Sequence, residues 1–271
     1  MEKGINQWAF PRDLPTDKAL KLAADHGFAA FEVCAGPGSP IPFDTEEADL
    51  QQIRRRADKL GVTLTSLATT ALWDCPLSAQ DKKTGAKARH IVRRMLAMAK
   101  SLGIDTVQIV PGLVTREAAY DAVLEASLNA IHRLVPEAAQ MQVCLAIENA
   151  GNRFLLSPVE MRDFIDQFES GYVGACVDVG HVAASGYPAQ WIRILGPRVR
   201  RIHMKDYRAA AGNEAGFVML LEGDIDWPGV MAALRAVDYQ GPLIGVYPPY
   251  RHGAETTLAH IGTALDAIGA L

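Results

Sequence analysis

The sequence predicts a single (β/α)8 barrel over residues 1–271. Three observations carry this expectation. Short apolar runs alternate with longer amphipathic stretches about eight times along the chain. Gly and Pro are spread throughout, so no stretch reads as a linker between two domains. The first apolar run leads into residues 8–12 rather than into the glycine-rich turn of an open, doubly wound sheet. Barrels of eight βα units commonly reach about 250 residues as one domain.

The strand-like runs fall at 4–10, 28–34, 62–69, 104–110, 143–148, 173–178, 199–205 and 242–247. They are short and rich in β-branched or aromatic residues, as strands buried on both faces should be. The first helix is expected over 16–25, with Thr16 as its cap and Gly27 after it. A second, over 45–60, carries charges on one face and ends at Gly61; a third, over 81–102, ends at Gly103. Stretches 115–141, 157–168, 188–195, 228–237 and 254–268 complete the helical set.

Composition narrows the function. The chain is 49% hydrophobic and 21% charged, with a formal net charge of −4. It lacks the basic excess of a protein that tracks phosphate backbones, so nucleic acid is not an expected partner. No segment approaches 18 uninterrupted apolar residues, and the opening MEKGINQWAF has no apolar signal-peptide core. Cys34, Cys75, Cys144 and Cys176 show no CxxC pairing. A reduced, cytoplasmic setting without membrane contact is the expectation.

Polar residues at strand ends then become informative, because barrel chemistry sits where strands pass into βα loops. Three consecutive strands end in groups that bind metal: Glu148 in LAIEN, Asp178 in CVDVGH and His203 in RIHMKD. Asp178 follows Glu148 by 30 residues and His203 follows Asp178 by 25, about one βα unit each. A lone Asp after a strand is ordinarily a turn or cap residue, and a lone His in a strand a core residue. The coincidence on three neighbouring strands points instead to one shared polar site, since uncompensated charges are expensive to bury. Two carboxylates and an imidazole suit Mn²⁺ best, with Mg²⁺ or Co²⁺ as alternatives, rather than a thiolate-rich structural zinc.

At these residues the chain resembles the xylose-isomerase-like TIM-barrel superfamily of sugar and sugar-phosphate isomerases and epimerases. The shared pattern is the Glu of LAIEN, the DxGH of VDVGH, the HxKD of HMKD and the LLEGDIDW that follows. INQWAF and DHGFAAFEV extend the likeness over nearly the whole chain. The resemblance implies that Glu148, Asp178 and His203 are metal ligands and that His181 contacts substrate oxygens. It puts Lys205 and Asp206 in the loop after the seventh strand, with Arg208 within reach of a hydroxyl or phosphate. A sugar or sugar phosphate is the implied partner, and relatives of this kind are often homo-oligomers. One departure stands out. The family usually has a second glutamate at the end of the eighth strand, where this sequence reads GPLIGVYPPY, with Val246 or Tyr247 at that position.

The expected chemistry is proton abstraction next to a carbonyl through an enediolate, with Glu148 as general base and His181 as its catalytic companion. Substrate contacts are expected from Trp8, Lys205, Arg208, Tyr247, Arg251 and His252. His252 is also a candidate substitute for the absent glutamate. Glu32, at the end of the second strand, reads equally as a residue facing the mouth or as a strand-end cap, and Phe154 as a sugar wall or a packing residue. The absent glutamate shifts weight from epimerisation, which needs proton donors on both faces, toward aldose–ketose isomerisation. The runner-up is a dehydratase or lyase of a keto-polyol or keto-glycoside. A degenerate sugar-binding or partner-dependent barrel is a further alternative. An abasic-site endonuclease fits poorly, because the third and fourth strands end in LATT and IVPG without histidines.

Overall fold

The computed structural model describes residues 1–271. Seven strands come first: β1 (Lys3–Asn6), β2 (Ala30–Cys34), β3 (Thr63–Ala68), β4 (Thr106–Ile109), β5 (Cys144–Glu148), β6 (Val173–Asp178) and β7 (Val199–Met204). A hairpin of β8 (Asp206–Tyr207) and β9 (Phe217–Val218) then precedes β10 (Leu243–Gly245). Strands β1 to β7 and β10 close into one barrel in the order β1-β10-β7-β6-β5-β4-β3-β2, and every neighbouring pair is parallel. The eight-unit barrel expected from the sequence is the observed fold.

The helices are α1 (Thr16–Asp25), α2 (Glu47–Leu60), α3 (Ala71–Asp74), α4 (Lys82–Leu102), α5 (Tyr120–His132), α6 (Val135–Met141), α7 (Pro158–Asp166), α8 (Val179–Ala183), α9 (Pro188–Leu195), α10 (Trp227–Ala236) and α11 (Ala254–Gly269). α2 and α4 end where Gly61 and Gly103 take left-handed φ values of 68° and 72°, which glycine adopts without a Cβ clash. Two expectations are corrected. The stretch 115–141 is not one helix: Pro136 has no N–H and opens α6, so the chain breaks into α5 and α6. Thr16 is not the cap of α1. Pro15 occupies that place, and the Thr16 hydroxyl accepts instead from Gln7 Nε2 at 3.0 Å, tying α1 to the segment after β1.

Most apolar side chains join one cluster of 72 buried residues, with the helices packed on the outside of the sheet. Ala30, Ile244 and Val246, from β2 and the end of β10, form a separate small cluster against Trp8. The polar group Asn6, Glu32 and Ser66 sits side by side in the register of β1, β2 and β3. Two register irregularities interrupt the barrel, at Phe31/Glu32 and at Ala175/Cys176. Such irregularities re-aim side chains, and each lies within two residues of a charged group of the site described below. No helix is long and apolar enough to cross a membrane.

Leu67 on β3 is fully buried in the main cluster. Leu67→Ala is expected to lower stability by about 2–5 kcal/mol through lost burial and a residual cavity, read as an earlier urea unfolding midpoint.

Candidate metal centre and active-site mouth

Glu148 and Asp178 end β5 and β6, and His203 pairs directly with Asp178 in the register of β6 and β7. The barrel therefore brings the three sequence-predicted donors together. His203 Nδ1 lies 3.3 Å from Glu148 Oε1 and 3.8 Å from Asp178 Oδ2. All three side chains are buried. Asn149, the residue after Glu148, pins Asp178: it accepts from the Asp178 N–H at 2.9 Å and donates to its carbonyl at 3.1 Å. Asp178 Oδ1 accepts from the His181 N–H at 3.0 Å and so caps α8. Its Oδ2 is left facing His203 and the Lys205 ammonium, which approaches to 2.6 Å.

Glu32 approaches the same imidazole from the opposite side, its Oε1 lying 2.9 Å from His203 Nε2. Both of its oxygens are held, by Asn6 Nδ2 at 2.5 Å and by Ser66 Oγ at 2.6 Å. Burial opposes ionisation of Glu32, yet His203 and the bonds from Ser66 and Asn6 lower its pKa from 4.5 to about 2. Burial likewise opposes ionisation of Asp178, and Lys205, His181 and His203 outweigh it, lowering the value. Burial works against a charged His203, but the carboxylates of Glu32 and Glu148 raise its pKa above the ordinary imidazole range.

The donor set fits a divalent cation. Asp178 Oδ2 and both ring nitrogens of His203 are buried without an aligned hydrogen bond, although Lys205 and Glu32 stand within ion-pair distance. Buried polar atoms are seldom left this way except where a further partner binds. Cys176 Sγ also lies within 4.8 Å of the Glu148 and His203 donor atoms. Burial raises that thiol to about 11 and keeps it protonated, so the carboxylates of Glu148 and Asp178 are the better ligands.

Two cavities, of about 430 and 590 Å³, open at the mouth and share Lys205, Val246, Tyr247 and Pro248. Trp8 lines the first; His181 and Phe217 line the second, with their rings 4.8 Å apart edge to face. Lys205 runs between the lobes and the buried donors, and Gly180 of the DxGH sequence lets it pass, since a Cβ there would lie 2.7 Å from Lys205 Cβ. Other candidates lie elsewhere. Arg208 turns away and donates to the Glu222 carbonyl at 3.0 Å. Arg251 and His252 are exposed and line neither cavity. Phe154 packs in the core against Tyr120 and Phe164, not on the mouth.

Asp206 organises the loop that covers this face. Its carboxylate accepts from the N–H groups of Tyr207, Leu221 and Gly223 at 2.8, 2.9 and 3.1 Å, and from Trp227 Nε1 at 3.3 Å. Its own N–H donates to the Tyr247 hydroxyl at 2.6 Å. Gly223 is required here, because a Cβ would lie 2.1 Å from Asp206 Oδ1. Leu221 is held at a left-handed φ of 72° while its N–H makes this bond. The HxKD and LLEGDIDW segments are thus one hydrogen-bonded unit, and Tyr247 stands against it at the position where the family resemblance implies a carboxylate. Burial pushes the Tyr247 phenol well up, so it remains a neutral donor.

Residues 20–266 match the family described as xylose isomerase-like TIM barrel, and the chain belongs to that family. A putative L-ribulose-5-phosphate 3-epimerase of Escherichia coli is 25% identical over 248 residues, covering 89% of this chain and 86% of that protein. A 3-oxo-isoapionate decarboxylase of Pectobacterium atrosepticum is 26% identical over 279 residues, 95% and 90% of the two chains. Among solved structures, a D-psicose 3-epimerase crystallised in the presence of D-fructose superposes with a TM-score of 0.81 at 19% identity, covering 99% and 100%. The IOLI protein with a bound zinc atom gives 0.83 at 16%, covering 100% and 98%. At these identities the two structures show the shared fold.

Two outcomes are expected. Asp206→Ala leaves four donors without their acceptor, so it should cost about 2–3 kcal/mol and speed hydrogen exchange across 219–227. For Glu32 the folded pKa lies below the ordinary one, so its stabilisation is present above about pH 4.5 and is lost as pH falls toward 2. Urea unfolding of metal-free protein across that window should show the loss, and Glu32→Gln should flatten it.

Proposed function

We propose that this chain is a divalent-metal-dependent isomerase or epimerase of ketoses or ketose phosphates. It would remove a proton from the carbon next to a carbonyl through an enediolate. The convergence of Glu148, Asp178 and His203 beneath the mouth, with buried donor atoms left unsatisfied, carries this reading. Glu148 Oε1, Asp178 Oδ2 and His203 Nδ1 would hold the cation, Mn²⁺ first by ligand type and Mg²⁺ or Co²⁺ as alternatives. When bound, such a cation polarises a carbonyl and stabilises the developing oxyanion.

The chain's own residues supply the remainder. Glu148 is the general base, a carboxylate on the strand end beside the donors. Lys205, after β7, and Tyr247, after β10, offer hydrogen-bond donors, and His181 contacts substrate oxygens from α8. Trp8 offers an aromatic face to the C–H surface of a sugar. The relatives named as epimerases, and a formal charge of −4 that disfavours nucleic acid, support a small sugar as partner. A cytoplasmic enzyme that assembles from copies of itself agrees with this reading.

One observation favours a second reading. The β10 end of the mouth carries Val246 and Tyr247 and no carboxylate, so a second base is absent on that side. Decarboxylation or elimination needs one face only, and a relative named as a decarboxylase matches 95% of this chain.

Incubation in D₂O with Mn²⁺ and a panel of ketoses and ketose phosphates tests the proposal by NMR. Metal-dependent deuterium uptake next to the carbonyl is expected, falling at least about 10²-fold in Glu148→Gln. Carbon dioxide release from a 3-keto sugar acid, without exchange into ketoses, would select the second reading. Absence of both, together with no Mn²⁺ uptake, would leave a sugar-binding barrel.

A further inference from the structure

We propose that Glu32 is the positioning residue of this centre, the buried carboxylate that orients His203 so that its Nδ1 faces Glu148 and Asp178. The inference rests on the metal-centre reading above and adds the group that makes one of its ligands directional.

Four observations carry it. Glu32 is fully buried, and the only protonable nitrogen within ion-pair distance is His203 Nε2 at 2.9 Å. β2 and β7 are not neighbours in the barrel, since β1 and β10 lie between them. The contact therefore crosses the lumen and contributes nothing to strand pairing. Asn6 holds one oxygen and Ser66 the other, so the carboxylate cannot turn away from the ring. Asn6 is itself fixed, its Oδ1 accepting from the Trp8 N–H at 2.7 Å. A buried charge clamped in this way would be a net cost to the fold if it only packed.

The imidazole has Glu32 at Nε2, and Glu148 and Asp178 at Nδ1. Nε2 stands close to Glu32 but its N–H is out of line, and Nδ1 likewise makes no aligned hydrogen bond. Carboxylates that hold a ligating histidine from behind in this way set its tautomer and raise its basicity.

Isothermal titration of metal-stripped protein with Mn²⁺ alone tests the inference, with the ¹⁵N resonances of His203 recorded in the Zn²⁺-loaded protein. Glu32→Gln is expected to weaken Mn²⁺ binding by about 10–100-fold and to shift the His203 Nε2 resonance. Ser66→Ala keeps the charge but loosens it, so a smaller loss of affinity is expected. It carries the test if Glu32→Gln fails to fold. A purely structural Glu32 would lower unfolding temperature and leave Mn²⁺ affinity within about twofold of wild type, which overturns the inference while the metal centre stands. Wild-type protein that takes up no Mn²⁺ would overturn both.

Discussion

The structure depends on the pairing of opposite charges buried at one end of the barrel. Glu32, Glu148 and Asp178 bring three carboxylates to the inner end of the mouth, and His203 and Lys205 are the groups that face them. An isolated ion there would cost several kcal/mol, so none is tolerable without the others. The five come from four strands, β2, β5, β6 and β7 with its end. Barrel closure is therefore the condition for the site, and charge pairing is a condition for closure.

A second network keeps the mouth in shape. The carboxylate of Asp206 gathers three backbone N–H groups and an indole from the segment between the hairpin and α10. Through its own N–H it also fixes Tyr247 beyond β10. Lys205 is adjacent in the chain, so the same anchor holds the ammonium that reaches Asp178. The loop is irregular in backbone but not free: its turns are specified by one acid and by the absence of a side chain at Gly223.

Membership of the xylose isomerase-like family defines a frame on which several carbohydrate reactions are carried, and fold alone does not choose among them. In this chain the distinguishing region is the short stretch after β10. A phenol and a valine stand there, beside Lys205 at the end of β7, while the acids Glu148 and Asp178 end β5 and β6.

The eightfold alternation of apolar runs and helical stretches was legible without coordinates, because period and chain punctuation are local properties of sequence. So were Glu148, Asp178 and His203 as a set, since strand ends recur at one βα interval. Glycine stops such as Gly61 and Gly103 are readable for the same reason, whereas the break at Pro136 lies inside a stretch whose apolar pattern reads as one helix. The tertiary structure alone decided which groups meet across the lumen. Glu32 stood in the sequence as a strand-end acid, with Asn6 and Ser66 as polar residues inside apolar runs, and only the stagger of β1, β2 and β3 made them one clamp behind His203. Arg208 illustrates the converse: the family resemblance implied a role at the mouth, but the turn after β8 directs it to the Glu222 carbonyl. Contacts between strands distant in sequence follow from register and closure, and neither is encoded in any single stretch of the chain.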